Sequence, residues 1–289
     1  MKCTDFWNCV VVPLQFAPTQ RALLAAILIG ILCSVVGAFV VLQDLSFIGD
    51  ALAHASFPGV VIASMLGWNI ALGGAIFGVA TALGVGWITR RSKVSLDTAI
   101  GVLFAGMFAL GIFLLSRDRG YNKELFGLLL GDILAVRQSD LWTIVGVGGL
   151  ILVVIAALYK ELVLMTFDRT AAAAQGLPVG FLHYLLLSIM AITVVVAIQS
   201  IGIVLVVAML VTPAATASLV VRRFWSMIVW GSVQGLIAAT IGIYVSAYID
   251  GVPTGSSIVL AHTAIFLLVL VLAPRKNALA GLFQRKVAD

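Results

Sequence analysis

Asp50 and His54 stand four residues apart in Gly49-Asp50-Ala51-Leu52-Ala53-His54, which puts both side chains on one face of a helix. A carboxylate oxygen beside an imidazole nitrogen is half of a site for a first-row divalent cation. Pro58 follows four residues after His54 and has no N–H to give the His54 carbonyl, which leaves that oxygen available to a polar cavity. The same pair also fits a neutralising contact between packed helices, or a proton relay of the kind found in pumps. A facing pair followed by a helix-breaking proline favours a transport site over a structural one.

Other polar groups carry weaker signals. Asp132 and Asp140 flank a short apolar stretch, 125–136, and read as solvated ends. His183 falls at an expected helix start, an interfacial position. His262, beside Thr263 in the last apolar run, reads first as a packing histidine and second as a pathway residue. Gln199 and Ser200 end a run, where they cap a helix or line a vestibule. Cys3, Cys9 and Cys33 have no metal-binding spacing and an odd count, which argues against a disulfide framework. A Cys3–Cys9 bridge stays open if the amino terminus faces an oxidising compartment. No phosphate-binding loop, H-E-x-x-H helix or G-x-S-x-G elbow is present. An enzyme lacks both a second ligand cluster and a base, and any ATP has to be hydrolysed by a partner.

The elements that position these residues follow from composition. Of 289 residues, 62% are hydrophobic and 10% charged, with mean hydropathy +1.19, which excludes a soluble globular enzyme. Apolar runs fall at 21–42, 45–67, 69–89, 98–116, 140–159, 180–200, 202–221, 225–249 and 257–273, each long enough to cross a bilayer as a helix. The 125–136 stretch is too short to cross and reads as a re-entrant or interfacial helix. Lys2 followed by Asp5, and a run from Arg21 longer than a signal core, make the first run a span rather than a signal peptide.

With nine spans and the amino terminus outside, eleven basic residues face inward: Arg90, Arg91, Lys93, Lys160, Arg169, Arg222, Arg223, Arg275, Lys276, Arg285 and Lys286. Six face outward: Lys2, Arg21, Arg117, Arg119, Lys123 and Arg137. The positive-inside rule therefore places the amino terminus out and the carboxyl terminus in. The net charge of +5 is accounted for by these loops, and no basic run suggests nucleic acid. Gly74-x-x-x-Gly78 and Gly127-x-x-x-Gly131, with Gly84, Gly86, Gly101 and Gly106, are assigned to close helix packing.

Three segments in order resemble the zinc/manganese/iron permease family of ATP-binding cassette importers. Gly49 to Val60 is similar to a G-D-A-L-(S/A)-H-A-x-x-P-G-V signature. Ser200-Ile201-Gly202, running to Leu210-Val211-Thr212-Pro213-Ala214-Ala215-Thr216-Ala217, resembles an S-(I/V)-G…P-A-A-T-A segment. Asp250-Gly251-Val252-Pro253-Thr254-Gly255-Ser256-Ser257-Ile258-Val259-Leu260 is similar to a D-x-P-x-G-P-x-I-V-L loop, departing at Ser256 or Ser257 where the family places Pro.

The resemblance implies an all-α, polytopic transmembrane helical bundle of about eight to nine spans, like type II ATP-binding cassette importer permeases. A single permease domain would cover 1–289, with an amino-terminal segment 1–20, a cytoplasmic coupling helix at 166–176 and a cytoplasmic tail at 275–289. The partners implied are a second copy of the chain, two cytoplasmic ATPase subunits and an extracytoplasmic metal-binding protein, in a bacterial inner or plasma membrane, surrounded by lipid. Asp50 and His54 match the positions that meet the metal. Phe167, Asp168, Arg169 and Gly176 match an F-D-x-x-x-A-x-x-x-G segment seated on the ATPase, and locally form an Ala-rich helix ended by Gly176 and Pro178. His262, Asp250 and Pro253 are candidates for the pathway or outer gate.

No permanently bound cofactor is expected, only the transported ion. Two carboxylates and two imidazoles across a dimer axis suit manganese, iron or zinc, and intrinsic affinity favours zinc over manganese. With no cysteine near the pair and no His-rich loop, the order of expectation is manganese, then zinc, then ferrous iron. An ATPase-independent secondary transporter, with Asp50 and His54 as a proton relay, is the alternative class.

Overall fold

The computed structural model describes residues 15–117, 133–249 and 251–285, with 274–285 described by backbone alone. Helix α1 (Ala17–Leu42) is strongly apolar, with small residues such as Ala22 and Ala26 and large ones such as Ile29 and Phe39 alike fully buried, the pattern of a helix enclosed by others. It is followed by α2 (Ile48–Ala55), α3 (Phe57–Met65), α4 (Ile70–Arg91) and α5 (Leu96–Arg117). After residues 118–132 the chain resumes with a single 3-10 turn (Ile133–Ala135) and α6 (Gln138–Ala157), which contains a π turn at Ile144–Gly148. Two short helices, α7 (Tyr159–Phe167) and α8 (Arg169–Ala174), lead to α9 (Val179–Ile201), α10 (Ile203–Ser218), α11 (Phe224–Tyr248) and α12 (Thr254–Arg285).

The helices pack as two groups. One contains α1, α10, α11 and α12; the other contains α2, α3, α4, α5 and α9; α9 and α2 join them through contacts with α1 and α10. Glycines set the closest crossings. A Cβ on Gly59 would strike the Gly73 carbonyl and one on Gly73 would strike the Gly59 carbonyl, while Gly37 faces the Leu210 carbonyl and Gly242 the Ile258 backbone. Gly74 and Gly78 pack on Val195, as expected. Gly101 and Gly106 instead meet nothing within 4 Å, so the packing role assigned to them from sequence is not seen among the described residues of the protomer. Gly127 and Gly131 lie outside the described residues.

Among the described residues, eight elements are long and apolar enough to cross a membrane, counting α2 and α3 together. The ninth expected run, 202–221, forms α10, whose 16 residues rise only about 24 Å, short of a hydrocarbon core of about 30 Å. It is cut at one end by Gly202, whose φ of 80° turns the chain sharply and suits glycine, and at the other by the turn before Arg222. Of the short 125–136 stretch only the final residues fall within the described residues, as that 3-10 turn.

One end of the bundle is basic. Gln43 Nε2 donates to Thr166 Oγ1 at 3.0 Å, Arg90 lies against Gly180 and over the Tyr184 ring, and the rings of Phe39, Tyr159 and Phe224 cluster. These contacts bring Arg90, Arg91, Lys93, Lys160, Arg169, Arg222 and Arg223 to the same end. Arg21, Arg117 and Arg137 lie at the other ends of their helices. The described basic residues thus sort as the charge count requires.

Candidate functional site

Pro58 divides what the sequence reads as one span into α2 and α3. The break falls at Ser56, whose hydroxyl donates to the Ala53 carbonyl at 2.7 Å and so occupies one acceptor near the missing helical bond. Helix α2 is only eight residues long and carries the Asp50–His54 pair one turn apart. His54 Nε2 lies 3.5 Å from Asp50 Oδ1. A cation bound to both atoms at about 2.0–2.2 Å would hold them roughly 3 Å apart, so a small rotamer adjustment makes the pair a two-point ligand.

The imidazole is braced from α5. Its ring meets Phe104 and Phe108 edge-on, with centroids 5.4 and 5.0 Å away, and those two rings are parallel to each other. His54 Nδ1 is buried without a hydrogen-bond partner. The pair is less enclosed than an apolar run suggests: the Asp50 side chain is 47% exposed and that of His54 25%. The reason is position. Asp50 is the third residue of α2, at the basic end, one turn before the part of α2 that Phe104 and Phe108 of α5 cover.

A cavity of about 240 Å³ opens there between the starts of α2 and α5, lined by Phe47, Asp50, Ala51, Asp97, Ile100, Gly101 and Phe104. Asp97 escaped the sequence reading because it sits one residue before the expected span, among loop charges. Its signal was periodic: positions 97, 100, 101 and 104 fall on one helical stripe. Among the described residues no group of three or more His, Cys, Asp or Glu side chains is close enough to hold a metal ion. Within one chain the described residues bring Asp50 and His54 together as a candidate pair.

The 166–176 segment is also at the basic end. Asp168 caps α8: its Oδ1 accepts from the Thr170 and Ala171 amides at 2.9 Å and from the Thr170 hydroxyl at 2.6 Å. These hydrogen bonds, that from the Thr170 side chain foremost, hold the Asp168 carboxyl below its usual pKa. At the other end Gly176 takes φ 77°. Its amide bonds to the Ala173 carbonyl and the Leu177 amide to the Ala172 carbonyl, a Schellman closure. Phe167, Asp168 and Arg169 are exposed around this rigid turn. The Gln43–Thr166 bond ties it to the loop that leads into α2.

The remaining candidates lie elsewhere. His262 on α12 is fully buried, with neither ring nitrogen hydrogen-bonded, in the helix group opposite α2. Pro253 begins the turn into α12 at the far end from the basic face. Its carbonyl accepts from the Ser256 and Ser257 hydroxyls, so the departure from the family's Pro is absorbed by local hydrogen bonds. Asp250 lies outside the described residues. Neither His262 nor Pro253 is brought to the Asp50–His54 pair.

A family model for the ABC 3 transport family matches residues 15–273. The manganese transport system membrane protein MntC of Halalkalibacterium halodurans is 44% identical over 275 residues, 95% of this chain and 94% of that protein. The chelated iron transport system membrane protein YfeD of Yersinia pestis is 37% identical over 262 residues, 90% of this chain and 86% of that protein. Among solved structures, PsaBC from Streptococcus pneumoniae in complex with Fab matches with TM-score 0.84 and 38% identity, covering 96% of this chain and 99% of that one.

Proposed function

The chain belongs to the ABC 3 transport family, and from that premise we propose that it is the permease subunit of an ATP-driven importer of divalent manganese. It is an integral membrane protein of the bacterial plasma membrane, and its fold is the all-α bundle of such permeases. The basic end is cytoplasmic by the positive-inside rule. The observation that carries the reading is the Asp50–His54 pair, 3.5 Å apart, open to a carboxylate-lined cavity at that end.

Two ligands per chain call for a second copy. Facing pairs supply two carboxylates and two imidazoles, enough to take a partly dehydrated cation from an extracytoplasmic binding protein. Two cytoplasmic ATPase subunits seat on Phe167, Asp168, Arg169 and Gly176, and the capped α8 transmits their closure to the α1–α2 loop through Thr166 and Gln43. The permease performs no chemistry on its cargo. Manganese as the cargo is supported by the manganese-transport relatives; ferrous iron is the second reading, favoured by YfeD, with zinc fitting the same ligands.

The test is ATP-dependent uptake by the importer reconstituted with its ATPases and binding protein, with manganese, iron and zinc in competition. Manganese uptake that needs ATP, outlasts equimolar competitors and is lost in Asp50→Ala is expected. ATP-independent uptake, or normal uptake by that variant in an intact assembly, overturns it.

A further inference from the structure

We propose that Asp97 is a further residue of the same pathway, the oxygen donor that receives the cation as it leaves Asp50 and His54 for the cytoplasm. The inference rests on the assignment of that pair as the ion's site. Asp97 is the second residue of α5 and shares one cavity of about 240 Å³ with Asp50. The cavity floor is bare where Gly101 lies, since a Cβ there would meet nothing within 4 Å. Phe47, 76% exposed, stands at the cavity's edge.

Electrostatics gives this carboxylate a task. A divalent cation leaving the pair moves toward an end that carries Arg90, Arg91, Lys93, Lys160, Arg169, Arg222 and Arg223, whose summed field opposes it. Among the described residues the one ion pair within 4.0 Å is His54–Asp50; no Lys or Arg neutralises Asp97, although Lys93 is only four residues away. Asp97 is therefore an uncommitted negative charge where the cation meets the positive rim. As a hard oxygen donor it suits manganese, which dissociates from carboxylate more readily than zinc does from imidazole.

A purely structural role is the competing account, because an acidic residue in a first turn complements the helix dipole. The experiment uses the assembled importer in proteoliposomes and measures manganese bound per complex, kcat and KM for uptake, and thermal stability. Asp97→Asn is expected to keep the manganese bound at the pair and its KM within about threefold, and to lower kcat about tenfold; Asp97→Glu recovers most of kcat. Gly101→Leu, which fills the cavity without changing charge, is expected to lower kcat similarly with bound manganese retained. Wild-type kcat in Asp97→Asn, or loss of bound manganese as complete as in Asp50→Asn, overturns the proposal. A change in stability with unchanged kcat assigns Asp97 to the helix alone. If Asp50→Asn keeps both binding and uptake, the site assignment fails instead, which the Asp97 variants by themselves do not decide.

Discussion

Phe108→Leu isolates the aromatic brace on His54. In the native structure the imidazole is held edge-on by Phe104 and Phe108, at 5.4 and 5.0 Å, while Nε2 faces Asp50. Leucine keeps most of the apolar volume but removes the ring's contacts with His54, Phe57 and Phe104; the one with His54 is an interaction of about 0.5–1.5 kcal/mol. Without it the imidazole samples rotamers that do not face Asp50, and the loss appears in metal affinity because only the ligating rotamer binds. That range corresponds to roughly two- to tenfold weaker binding. The assay is calorimetric titration of manganese into the solubilised importer, with Phe113→Leu as control. Phe113 lies on the same helix but is 55% exposed and carries Arg117 over its ring. Unchanged affinity in Phe108→Leu, or equal weakening in Phe113→Leu, refutes the bracing role.

Gly59→Ala places a methyl against the Gly73 backbone and is expected to lower stability by about 1–3 kcal/mol, read as a lower Tm in detergent; Gly106→Ala, in open space, leaves Tm unchanged. Asp168→Ala removes the α8 cap and is expected to make 166–176 protease-sensitive at neutral pH and to lower transport per ATP hydrolysed. Because the Asp168 pKa is lowered on folding, its stabilisation is present above the unfolded carboxylate value and fades as pH falls through the folded one. Wild-type protein should therefore acquire the same sensitivity, to pepsin, only in that acidic window. Gln43→Leu and Thr166→Val, combined in a double-mutant cycle, are expected to show coupling of about 0.5–1.5 kcal/mol and a matching fall in ATPase–transport coupling; additive effects contradict the link.

The parts of this molecule visible in its sequence are those set by local chemistry. A carboxylate and an imidazole four apart in an apolar run announce themselves, Pro58 marks the α2–α3 break, and Asp168 with Gly176 marks both ends of α8. What escaped depends on neighbours far along the chain. Asp97 joins Asp50 only because α5 folds back onto α2, and the Gln43–Thr166 bond spans 123 positions. The brace from Phe104 and Phe108 looks in sequence like ordinary span residues. The sequence runs already part at Gly202, but nothing local shows that α10 ends at Ser218, three residues before the run does. The exposure of Asp50 was hidden because hydropathy reports the environment of a segment, not where a cavity opens beside one residue of it.

In the proposed importer Asp50 and His54 touch the transported ion. Electron spin-echo spectroscopy of manganese bound to the assembled importer tests this contact directly, because nitrogen coupling reports a coordinated imidazole. Nitrogen modulation is expected in the wild type, with its loss in His54→Gln while manganese is still weakly held by carboxylates, and loss of bound manganese in Asp50→Ala. An oxygen-only spectrum in the wild type, or nitrogen coupling that survives His54→Gln, would contradict this contact.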